Sequence, residues 1–188
     1  MGHTDDSDVK IFHTKHQQSE KEDIIAIVEE TSRHRQNGNS TKARQLGKEL
    51  AVLATDEEFM ALILKKYDLS PSDVEQIFAL MQFAAEAALN FYLPANLLST
   101  IAVNTLQEKL IKEHNALYES ALNGSSFSFY YLSVRKGGKN IPHDIGVAFA
   151  MLCVKENDEH YINAGEKIYN ETLNLVEKKI KDFNFAIE

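Results

Sequence analysis

Three polar side chains interrupt the most apolar segment of the chain, and their spacing is that of one helical face. In IFALMQFAAEAALNFYL, residues 77–93, they are Gln82, Glu86 and Asn90, each four apart, with Glu75 just upstream. At 100° per residue the three fall within an arc of about 80°. A strip like this faces either a narrow solvent opening or an internal polar groove. In the groove an unpaired carboxylate would cost several kcal/mol, so Glu86 would need a cation, a set of hydrogen-bond donors or a retained proton. Arg44 and Lys48, spaced i,i+4, and Arg135 are the cations within the sequence suited to that pairing. A carboxyl so placed has the chemistry of a general acid or base, or of an anchor for a cationic ligand.

A second group of candidates follows in SSFSFYYLSVRKGGKN, residues 125–140, and in the His143-Asp144 pair just beyond it. Tyr130 and Tyr131 each carry a hydroxyl that seeks a partner when buried. Adjacent helical positions point about 100° apart, so at least one tyrosine turns away from whatever Phe127 packs on. The candidate pocket is therefore Gln82, Glu86, Asn90, Tyr130, Tyr131, Arg135, His143 and Asp144. Each also has an ordinary reading: a solvated strip on one helix, tyrosines at a rim with their tips in water, an acid matched to a helix dipole.

Familiar chemistries are excluded by the motifs that are missing. There is no GxGxxG, and GNSTKARQLGK, residues 38–48, spaces its glycines too widely for a phosphate loop and sets Gly47-Lys48 inside a helical pattern. GxSxG and HExxH are absent. Neither His114 nor His160 has a glutamate three residues before it, so a di-iron carboxylate bundle is not expected. His13 and His16, near Asp5, Asp6 and Asp8, form the closest histidine pair, which is suited only to adventitious metal; His34, His114 and His160 read as solvated. Cys153 is the lone cysteine, a small core hydrophobe within FAMLCV. No cofactor and no resident metal are expected.

Charge sets the partners. Asp plus Glu outnumber Lys plus Arg by 28 to 20, for a net charge of -8, without a basic stripe, so neither nucleic acid nor an anionic membrane is an expected partner. No apolar run has the length of a signal peptide or a membrane span, which places the expected location in the cytoplasm. Self-association through amphipathic helix faces is left open.

The elements that must position these residues are helices throughout. After a loosely held polar tail over residues 1–18, one all-α domain is expected over 19–188: a compact bundle of about seven helices, with long ones near 94–122 and 158–185. The first helix ends at Gln36-Asn37-Gly38-Asn39, and Ser40 or Thr41 caps the second. Thr55-Asp56-Glu57-Glu58 has the capping-box form, Ser70-Pro71-Ser72-Asp73 opens a helix to about Tyr92, and Pro94 breaks it. FSFYYLSV has strand character by preference but no second run to pair with, so it is assigned to a helix that starts at Ser125 or Ser126, carries Arg135-Lys136 in its last turn and stops at Gly137. Ile141-Pro142 and Asn157-Asp158 begin the last two. Gly47, Gly146 and Gly165 fall inside helical patterns, where glycine costs about 1 kcal/mol against alanine; close helix crossings account for them.

The functional expectation is a small-molecule- or protein-binding or regulatory module without a recognisable catalytic motif. The alternative is a metal-independent enzyme with Glu86 as its acid or base.

Overall fold

The computed structural model describes residues 24–123, 126–135 and 140–186, and all regular structure among them is helical. The expected tail, its His13 and His16, the helix start near Ser19, the Ser125 cap and the Gly137 stop lie outside the described residues. The chain divides into two units, Met1–Asn39 and Ser40–Glu188.

In the first unit, helix α1 spans 24–36 and ends at Gly38, whose φ of +80° is the left-handed turn that glycine adopts without a Cβ clash. Ile24, Ile25, Ile27 and Val28 of α1 are exposed. His34, expected on a solvated face, is buried, 3.7 Å from Glu30 and 3.4 Å from the side-chain amide of Asn39.

The second unit carries α2 (Asn39–Ala54), α3 (Glu57–Lys66), a 3-10 turn (Pro71–Asp73), α4 (Val74–Tyr92), α5 (Asn96–Asn123), α6 (Ser126–Arg135), α7 (Ile141–Leu152) and α8 (Glu159–Phe183). Ser40 and Thr41, expected to cap α2, lie inside it because the helix already begins at Asn39; the later start signals act as local hydrogen-bond acceptors. Asp56, one residue later than the sequence pattern suggests, caps α3 by accepting from the Phe59 N–H at 2.8 Å, while the Thr55 hydroxyl donates back to the Ala51 carbonyl. Asp73 Oδ2 accepts from the Ser70 N–H and from the Tyr161 hydroxyl, each at 3.0 Å, so one carboxylate both shapes the entry to α4 and ties it to α8. Asn140 and Asp158 cap α7 and α8. The aromatic stretch is helical, as its missing strand partner requires. One expectation is corrected: α5 is not continuous, because His114 leaves helical geometry at φ -138°, ψ 41°. No proline or glycine lies at that break.

Helix α4 is the hub. All of Ile77–Ala85 is buried, and α5, α6, α7 and α8 pack on it. A helix with apolar side chains all round is stable only when enclosed, each fully buried Leu, Ile or Phe contributing about 1.5–3 kcal/mol. Enclosure demands close approach among the surrounding helices. A Cβ added at Gly146 of α7 would overlap the Ile162 carbonyl of α8, and one added at Gly47 of α2 would overlap the Ala102 carbonyl of α5. At Gly165 an added Cβ would lie 2.7 Å from Cβ of Phe149.

Gly146→Ala is therefore expected to lower the Tm. The substitution gains about 1 kcal/mol of helix propensity. Forcing a methyl against a backbone carbonyl that cannot rotate away costs about 1–3 kcal/mol. A thermal melt decides the sign, and a raised Tm would show that α7 and α8 have room between them.

Candidate functional site

The polar strip of α4 runs from the interior to the surface. Gln82 is 1% exposed, Glu86 is half-buried and Asn90 is exposed. Glu86 Oε1 accepts from the amide of Gln82 and from that of Gln107 on α5, each at 2.9 Å. Two neutral donors thus take the place that Arg44, Lys48 or Arg135 was expected to fill; all three of those side chains are exposed. Glu75, at the solvent end of the same helix, accepts from the Ser120 hydroxyl at 2.7 Å. The Glu86 carboxylate acts on Tyr118, whose phenol is pushed up by burial and by that charge. Gln107 carries no sequence signal, since it stands 21 residues from Glu86 on a helix whose polar positions all look alike.

The other candidates do not converge on this strip. Tyr130 is fully buried against Phe83, ring centroids 5.4 Å apart, with its hydroxyl unpartnered among the described residues and its phenol pushed well up by burial. Tyr131, one position on, is exposed, as is Arg135. His143 is exposed and its Nδ1 lies 3.8 Å from Glu166 on α8. Asp144 instead borders a shallow cleft between α6 and α7 with Phe129, Leu132 and Met151. Of the eight, only Gln82 and Glu86 are joined by a hydrogen bond, at 2.9 Å.

Gln82 also lines a cavity of about 310 Å³, partly open to solvent, that is bordered by α2, α3, α4, α5 and α8. Its wall is chiefly aliphatic and aromatic, with Leu53, Phe59, Met81, Ala85, Leu106 and Ile168 among its residues. Ala85 is the one small side chain that α4 contributes to this wall, beside Met81 and Gln82. One lining residue, Gln82, carries a polar atom, Oε1, that is buried without a hydrogen-bond partner among the described residues. An unmade bond of this kind costs about 1–3 kcal/mol.

At the rim, Lys66 of α3 and Glu171 of α8 form an ion pair at 2.6 Å, both side chains about half exposed. Both act on the Tyr67 hydroxyl as hydrogen-bonding neighbours, and Lys66 Nζ stands 5.1 Å from the Tyr67 ring centroid. Burial pushes the Tyr67 phenol up, and the Glu171 carboxylate adds to it. For Glu171, burial acts to raise the carboxyl, but the Lys66 ammonium and its other neighbours outweigh it and leave it below its ordinary 4.5. The pair is therefore intact above that value and is lost as pH falls through the lowered one. Tyr67, Lys66 and Glu171 had no motif to announce them: a cavity is a shortage of atoms, which spacing along a chain does not display.

Other chemistry is sparse. Among the described residues no group of three or more His, Cys, Asp and Glu gathers to hold a metal ion, and no helix is long and apolar enough to cross a membrane. Cys153 is buried, and burial together with the Asp73 carboxylate pushes its thiol from the ordinary 9.0 up to about 12. Thiolate at neutral pH is then about a thousandfold scarcer than on a free thiol. Cys153 is expected to react with a disulfide reagent at pH 8 at least a hundredfold more slowly in the folded protein than in denaturant; equal rates would place the thiol outside the core. The chain matches no protein-family model, no curated protein and no solved structure.

Proposed function

We propose that the protein is a binding module for a small, largely apolar molecule held in the cavity between α2, α3, α4, α5 and α8. The observation that carries this reading is the combination of an apolar wall with a lining residue, Gln82, whose buried Oε1 has no hydrogen-bond partner among the described residues. Ligand sites are built this way, with apolar surface for affinity and a few polar groups for orientation. A core selected for stability alone would close the space or satisfy the polar atom.

The size of the cavity limits its occupant. An apolar cavity of ~150 Å³ holds benzene. At about 310 Å³ the space here is roughly double that, which suits a molecule of about a dozen non-hydrogen atoms.

Thermal shift with naphthalene tests the reading. The compound is expected to raise the Tm of the wild type by mass action, by the equivalent of about 2.7 kcal/mol at a hundredfold excess over Kd. Ala85→Leu, which puts a larger side chain into the cavity, should leave the resting Tm unchanged or higher and abolish the response. An equal response in the variant would move the binding elsewhere and overturn the assignment.

A further inference from the structure

Resting on that reading, the structure assigns a ligand class: we propose that the cavity selects an uncharged apolar molecule carrying one hydrogen-bond donor, an alcohol- or phenol-like head, which the Gln82 carbonyl accepts. Three observations point the same way.

The first is the orientation of the Gln82 amide. Its NH2 donates to Glu86 Oε1 at 2.9 Å, and the same oxygen is engaged by Gln107 at 2.9 Å, which fixes the carboxylate. Reversing the amide would set a carbonyl oxygen against a carboxylate oxygen, so the carbonyl is held in its present direction. Gln82 therefore presents a permanent acceptor. It calls for a donor, and it has nothing to offer a carboxylate or phosphate head.

The second is charge. Lys66 and Glu171 are the charged residues of the cavity lining, and they neutralise each other at 2.6 Å. An anionic head would have to displace Glu171 from Lys66, and a cationic head would have to displace Lys66 from Glu171. Either exchange strands one member of the pair. An uncharged head leaves it intact.

The third is desolvation. Both Gln82 Oε1 and the Tyr67 hydroxyl are covered by their neighbours. A donor reaches the carbonyl only as lining side chains part, and a neutral hydroxyl sheds its water far more cheaply than an ion does.

Calorimetric titration of the full chain with naphthalene, 2-naphthol and 2-naphthoate separates these classes. The expected order is 2-naphthol tightest, by about tenfold over naphthalene, with 2-naphthoate weakest. Gln82→Met, which keeps the length of the side chain and removes the acceptor, should bring 2-naphthol to the level of naphthalene. Glu86→Gln, which frees the amide to reverse, should shrink the preference for 2-naphthol and narrow the gap to 2-naphthoate. The wild-type order stands by itself if a variant does not fold. Tightest binding by 2-naphthoate, equal binding of 2-naphthol and naphthalene, or an undiminished 2-naphthol preference in Gln82→Met overturns the donor assignment. The cavity reading survives those results provided that naphthalene binds and Ala85→Leu blocks it. Absence of binding by all three probes overturns both.

Discussion

The enclosure of α4 is the constraint on which the rest of this structure depends. Its buried run from Ile77 to Ala85 leaves no side turned to water, so other helices must cover it all round. Covering one helix completely requires its neighbours to approach one another closely as well as to approach the hub. The glycines at 47, 146 and 165 meet that demand by letting backbone lie on backbone or ring. The Asp73 carboxylate serves the same end electrostatically, since it closes the capping box of the 3-10 turn that leads into α4 and accepts the Tyr161 hydroxyl of α8 in one place.

Enclosure also makes any polar atom on α4 expensive. Glu86 resolves its share by lying half-buried and gathering two amide donors from Gln82 and Gln107 on a single oxygen. Gln82 resolves only half of its own: the amide nitrogen is satisfied, while the carbonyl is left at the wall of a cavity. In a hydrophobic interior such an atom weakens the fold unless something completes it. The physical tension within the core and the chemical capacity of the cavity are thus one feature seen from two sides.

The helical pattern was legible because it rests on local physics. Recurring apolar residues each turn, Asp and Ser at helix starts, and the want of a pairing partner for FSFYYLSV all act over a few residues, and the observed α2 to α8 follow them closely. The break at His114 was not legible, as nothing near it departs from helix-forming sequence. The candidate site was legible in part. Gln82 and Glu86 stood out because polar residues four apart on an apolar helix must be accounted for, and they do interact. Tyr130, Tyr131, Arg135, His143 and Asp144 were singled out for the chemistry each side chain carries, and that chemistry does not show in which direction each leaves α6 or α7.

The amino-acid sequence by itself determined which segments are helices and that α4 is the helix to be buried, because capping, periodicity and side-chain polarity act within a turn or two of their own position. Only the tertiary structure decided that Glu86 is met by Gln107 rather than by a cation, that Lys66 and Glu171 close on each other across α3 and α8, and that a cavity remains between five helices. Those outcomes depend on how far apart the helix axes come to lie. That distance is set jointly by all the side chains and glycines at the crossings, and no single stretch of the chain encodes it.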